Sequence, residues 1–196
     1  ARERDEFRVF YQPKIDLRSQ RVAHVEALLR WQHPVLGNIG PDEFIPLAEH
    51  CGLIHEITAF VLATGLRQAA EWRDDDLQIG LAVNLSAMDL LDARLPGRVA
   101  ALLQAHRFPP RELILEITES TVMRDVPSAL ATMRALRTLG VRLSKPGVYS
   151  LNDSGCPPTA GAAAQAQKIV SKVALALVVS AVAALVLIVL WSLWRG

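Results

Sequence analysis

Residues 113–120 read LILEITES, and residues 79–86 read IGLAVNLS. Each is a short apolar run of the kind that forms a buried strand, and each carries a polar group near its end: Glu116 in the first, Asn84 in the second. VAHVEALLRW at residues 22–31 has the same character and carries Glu26. By two-residue alternation Glu26 shares a face with Leu28, Asn84 with Ala82, and Glu116 with Ile114.

Working outward, RVFYQPKID from Arg8 to Asp16 predicts a strand that forms a hairpin with 22–31 across the polar turn 17–20. HPVLGNIGP then reads as a loop. Helices are predicted over Asp42–His50, stopped by Gly52, and over His55–Trp72, with Ile57, Val61, Gly65, Ala69 and Trp72 along one face. A helix opened by proline follows at Pro96–His106. Another spans Val126–Leu139, capped by Asp125, stopped by Gly140 and facing inward through Val126, Ala129, Leu130, Met133 and Leu136. Val141–Ser144 begins a fifth strand. After the hairpin, helix and strand alternate, which implies an α/β fold of parallel strands with crossover helices. An open doubly wound sheet and part of a (β/α) barrel both satisfy this order. Neither G-x-G-x-x-G nor G-x-x-x-x-G-K follows a strand, so both nucleotide loops are excluded.

Parallel neighbours lie about 4.8 Å apart, so Glu26, Asn84 and Glu116 are expected to converge at the C-terminal edge of the sheet. Two carboxylates and an amide form an all-oxygen donor set suited to Mg²⁺ or Mn²⁺. Glu119, just past its strand, reads as a carboxylate that fixes a loop or supports a ligand. Arg30 shares strand parity with Glu26 and suits a phosphate. His24 has the same parity and reads as a packed or hydrogen-bonded histidine. His50, Cys51 and His55 resemble a metal cluster on paper, but five residues of helix turn through about 140°, so the two histidines do not share a face.

The 196 residues carry 21 basic and 20 acidic side chains, a net charge of +1. This excludes a strongly basic nucleic-acid binder and an acidic disordered chain. No nucleic acid polymer is expected as a partner. Cys51 and Cys156 offer neither a metal framework nor a disulfide scaffold, which favours a reducing compartment. The near balance hides a break: residues 1–144 hold 17 basic and 19 acidic residues, whereas 145–196 hold four basic residues and one acid, Asp153. Val173–Trp194 is uncharged throughout, and as a helix of 22 residues it would span about 33 Å against a bilayer core of about 30 Å. Trp191 and Trp194 mark one interface, and Lys168 and Lys172 flank the other. The expected organisation is a domain over 1–144, a linker over 145–167 and a C-terminal transmembrane anchor over 168–196. The balance of basic residues predicts a single-pass, C-tail-anchored protein with its domain facing the cytoplasm.

Five motifs in order are similar to those of the EAL-domain family of cyclic di-GMP phosphodiesterases: FYQP at 10–13, EALLRW at 26–31, GPDEFIPLAEHCGLI at 40–54, VNLS at 83–86 and EITES at 116–120. The resemblance covers about residues 7–144, somewhat over half of such a domain. It implies a (β/α)₈ barrel whose first strand is antiparallel, here reduced to about five of eight strands. It further implies that Glu26, Asn84 and Glu116 ligate a divalent cation, that Glu119 supports a neighbouring loop, and that Gln12 and Arg30 lie near bound cyclic di-GMP. The family reaction is metal-assisted hydrolysis of cyclic di-GMP to the linear dinucleotide.

The resemblance stops at Ser144, where the family continues with a pair of aspartates and this chain continues KPGVYSLNDSG. No complete catalytic set is therefore expected. Mg²⁺ or Mn²⁺ should bind weakly, with donors for one ion and almost none for a second. The chain is expected to be a truncated family member, inactive by itself and covered at its open barrel edge by a second chain. Ile114, Val141 and Leu143 would then lack cover. A non-catalytic module for cyclic di-GMP or a protein, or the product of a truncated or fused gene, fits the same residues.

Overall fold

The structure is a computed structural model that describes residues 6–16, 19, 21–117 and 125–144. The chain divides into two compact units, and the larger, which holds the described residues 6–15, 23–117 and 125–144, is considered below. The strands are β1 (Phe7–Asp16), β2 (Arg21–His33), β3 (Gly37–Ile39), β4 (Gly80–Leu85), β5 (Leu113–Ile117) and β6 (Arg142–Ser144), all but Asp16, Arg21 and Val22 within the larger unit. Its helices are α1 (Pro41–His50), α2 (Ile54–Asp74), α3 (Ala87–Leu91), α4 (Leu95–Ala105) and α5 (Val126–Thr138).

The sheet runs β1-β2-β4-β5-β6, with β3 beside β2. The amide of Gln32 donates to the carbonyl of Glu6, so the start of β1 lies beside the end of β2 and the two run antiparallel. β2, β4, β5 and β6 are parallel neighbours, and α2, α4 and α5 supply the connections such strands require. This is the mixed sheet of a partial barrel, one of the two architectures the strand–helix order allows and the one the family resemblance implies.

Strand parity separates two faces. Val25, Leu81 and Leu113 lie in one row of the register, and Ala27, Val83, Leu115 and Leu143 in the next. On this face Gly65 of α2 comes so close to Leu81 and Ala27 that an added Cβ would meet Leu81 at 3.0 Å. Tyr11 stacks edge-on against Trp72 at 4.9 Å on the same side. Leu66, Leu81, Leu113 and Leu115 are fully buried, each worth about 1.5–3 kcal/mol relative to exposure. The opposite face carries the row Glu26, Ala82, Ile114 and Arg142, and above it Asn84, Glu116 and Ser144.

Several expectations need correction. The stretch HPVLGNIGP is not all loop: Gly37–Ile39 turns back along β2, pairing Trp31 with Ile39. The turn is held by the His33 ring, whose Nδ1 accepts from the amides of Val35 and Leu36. The short helix α3 was not expected. On α5 the buried stripe is Ala129, Thr132 and Leu136, while Val126 and Leu130 are 43% and 40% exposed. The inward face is thus rotated by about one position. Ile114 and Val141 are buried, not uncovered; Ile114 is flanked in its row by Ala82 and Arg142 on the neighbouring strands. Leu143 is half-buried. The predicted linker 145–167 and anchor 168–196 lie outside the described residues. Among the described residues, no helix is long and apolar enough to cross a membrane.

Candidate functional site

Adjacent strands bring Glu26, Asn84 and Glu116 together. Glu116 stands in register with Asn84 of β4 and Ser144 of β6, and Glu26 lies on the same face one row below. The Asn84 amide donates from Nδ2 to Glu26 Oε1 at 2.7 Å. Lys14, from β1, completes the group: its Nζ lies 3.0 Å from Glu26 Oε2 and also donates to Glu116 Oε1.

Depth differs across the cluster. Lys14 is 3% exposed and Glu116 1%, whereas Asn84 faces solvent and Glu26 is half-buried. Burial holds the Glu116 carboxyl above the usual carboxylate range, against the downward pull of Lys14. Glu116 Oε2 and Ser144 Oγ are buried without a hydrogen-bond partner. An orphaned carboxylate oxygen deep in the cluster, beside a second carboxylate and an amide, fits a hard divalent cation. The donor set is thin. Among the described residues no three His, Cys, Asp or Glu side chains gather as a metal site, and the third oxygen near the two carboxylates belongs to an amide.

His24, two residues below Glu26, packs directly on Gly80. A Cβ at residue 80 would lie 2.2 Å from the His24 ring and 2.8 Å from the carbonyl of Glu112, so glycine is required where β2 and β4 close at this level. The ring nitrogen faces Arg142 at 3.5 Å, and burial, then Arg142, holds its pKa below the ordinary histidine value.

A groove of about 480 Å³ opens beside the cluster, lined by Arg30, Asp42, Glu49, Asn84 and Ser86 among others. Arg30 is exposed there, with Nη1 donating to the carbonyl of Leu29 at 2.9 Å. Ser86 donates to Glu49 and caps α3 by accepting from the amide of Met88. Gln12 is half-buried on the Lys14 face of β1 but does not line the groove. Glu119 lies outside the described residues. His55 faces Asp89 at 3.0 Å rather than His50, and Cys51 is exposed.

Sequence reasoning missed Lys14, Glu49 and Ser86. The signal for Lys14 was available: alternation places it with Gln12 on the face opposite Tyr11, where a lysine requires a partner if buried. The S-x-x-D of Ser86–Asp89 is likewise a capping-box pattern.

The family model for the EAL domain matches residues 1–144. The chain belongs to the EAL-domain family. It is 43% identical over 145 residues to the bifunctional diguanylate cyclase/cyclic di-GMP phosphodiesterase MucR of Pseudomonas aeruginosa, covering 74% of this chain and 21% of that protein. A cyclic di-GMP phosphodiesterase of the same organism is 38% identical over 138 residues, which cover 70% of this chain and 24% of the relative. Among solved EAL structures, the P. aeruginosa MucR phosphodiesterase in complex with c-di-GMP superposes with a TM-score of 0.69 at 42% identity, covering 74% of this chain and 59% of that one. The P. aeruginosa FimX EAL domain bound to c-di-GMP gives a TM-score of 0.64 at 30% identity, covering 72% and 56%. The chain thus spans about a quarter or less of these curated relatives and under two thirds of these solved EAL chains.

Proposed function

We propose that residues 1–144 supply one side of a cyclic di-GMP phosphodiesterase site, which binds a single Mg²⁺ or Mn²⁺ weakly and does not hydrolyse the dinucleotide by itself. The observation that carries this reading is the convergence of Glu26, Asn84 and Glu116, with Glu116 Oε2 buried and unpartnered. Glu26 and Glu116 would hold the cation with the amide oxygen of Asn84. Once bound, it supplies Lewis-acid polarisation of the phosphodiester and a more acidic water. Arg30, exposed on the groove beside Asn84, would meet a phosphate of the dinucleotide. Gln12 would lie near the same ligand, and Glu119 would fix the loop after β5.

Incompetence follows from what stands beside Glu116. Its row partner on β6 is Ser144, which brings a hydroxyl where another carboxylate would extend the donor set. One ion held by two carboxylates and an amide cannot clamp both the attacking and leaving oxygens. A second chain laid against β6 would complete the sheet. The apolar stretch 173–194 would tether the domain to the cytoplasmic face of a bacterial inner membrane, where the messenger is found.

A second reading, a non-catalytic module that binds cyclic di-GMP, is favoured by the groove itself, since Arg30, Asp42 and Glu49 need no second cation to hold a ligand. The deciding experiment incubates the purified full chain with cyclic di-GMP and Mn²⁺, while calorimetry follows binding. The expected result is no linear dinucleotide. Hydrolysis abolished by Glu26→Ala would overturn the proposal, and binding that survives removal of all divalent metal would select the second reading.

A further inference from the structure

We propose that Lys14 is the resident cation of this site: it holds Glu26 and Glu116 together while no divalent ion is bound, and it gives way when one binds. The inference rests on the divalent-cation reading above. Lys14 lies within β1 at 3% exposure, where an ammonium is tolerated only if paired. Its partners are the two carboxylates assigned to the metal.

Counting oxygens shows what a divalent ion would meet. Glu26 Oε1 accepts from Asn84 and Glu26 Oε2 from Lys14. Glu116 Oε1 accepts from Lys14, which leaves Glu116 Oε2 without a partner. An ion could reach Glu116 Oε2, the second lone pair of each Glu26 oxygen and the Asn84 oxygen without breaking these contacts, so charge decides between exchange and addition.

Charge favours exchange over addition. Two carboxylates and one ammonium sum to −1. A divalent ion in place of the ammonium gives zero, whereas one added beside it gives +1 and sets two cations against each other in a buried space. The four-carbon lysine stem is flexible enough to withdraw the charge. Lys14 is thus a positioning residue that keeps two acids from repelling one another in the empty site, at the cost of competing with the metal.

The test titrates Mn²⁺ into the full chain and reads free ion by paramagnetic resonance, comparing wild type with Lys14→Met, Lys14→Gln, Lys14→Arg and Glu116→Gln. Removing the ammonium should tighten Mn²⁺ binding about tenfold, while Lys14→Arg should stay near wild type. Without metal, Lys14→Met and Lys14→Gln should melt at lower temperature than wild type, and saturating Mn²⁺ should raise their melting points by more than it raises that of wild type. If both neutral variants are unfolded without metal, recovery of the fold on adding Mn²⁺ supports the exchange, and failure to recover overturns it. Unchanged or weaker binding in the neutral variants, with Glu116-dependent binding retained in wild type, sinks the role of Lys14 but leaves the metal reading intact. No saturable Mn²⁺ binding in any of these proteins overturns both.

Discussion

At the scale of single residues, the site is a problem in burying charge. Glu116 is almost completely enclosed, and Lys14 links it to Glu26 across β2. Replacing Glu116 by Ala should cost about 1.5–3 kcal/mol in urea denaturation, since Glu26 still holds the ammonium but one charged hydrogen bond is lost. Gly80 makes a second test. Its Cβ would collide with the His24 ring and with a backbone oxygen, so Gly80→Ala should destabilise the fold by about 1–3 kcal/mol. A neutral outcome would mean that β2 and β4 can part without cost. Glu26, Asn84 and Glu116 were legible in the sequence because each interrupts an apolar run. Lys14 was legible only in part: alternation sets it on the face of Gln12, but a strand lysine ordinarily lays its stem on the surface and keeps its charge in water. Only the register, which sets Glu26 and Glu116 within its reach, makes it a core residue.

At the scale of elements, the long periodic segments were readable and the short ones were not. The alternation in β2, β4 and β5 and the i, i+4 apolar spacing of α2 come from many residues that agree. β3 has three residues and α3 five, too few to establish a period. Both depend on local polar anchors: His33 for the turn before β3, and the Ser86–Asp89 capping box for α3. Asp89 is fully buried and accepts from Thr58 Oγ1 at 2.7 Å and from the amide of Ser86 at 3.1 Å, with His55 Nδ1 3.0 Å away. Asp89→Ala should therefore lose about 2–4 kcal/mol. Burial holds this carboxyl above the usual carboxylate range despite its donors. The folded chain then binds the proton more tightly than the unfolded chain. That contribution to stability is fully present below the ordinary value of about 3.9 and is lost as pH rises through the raised value. Melting followed against pH should show this loss in wild type, and Asp89→Asn, which cannot titrate, should flatten it. An unchanged profile would assign the pH dependence to other groups.

At the scale of the whole molecule, the sheet of the larger unit is described from β1 to β6. Among the described residues, β6 pairs with β5 alone. Exposed backbone at such an edge invites pairing with another chain. Residues 1–144 expressed by themselves should therefore self-associate in sedimentation velocity. A sharp monomeric boundary with a cooperative melt would contradict that expectation. The antiparallel pairing of the first two strands follows from the hairpin, so it could be expected from the sequence, whereas the alternation of helix and strand fits an open sheet as well as a barrel. What covers the edge cannot be read the same way, because it depends on chain contacts that no local pattern encodes. The proposed site lies where two acids and an amide from the middle of β2 and the ends of β4 and β5 converge while β6 contributes a serine. The most direct test incubates the full chain with cyclic di-GMP and Mn²⁺ and quantifies the linear dinucleotide by chromatography, with Glu26→Ala in parallel. The account predicts no linear product from either protein; linear dinucleotide formed by the wild-type chain and lost with Glu26→Ala would contradict it.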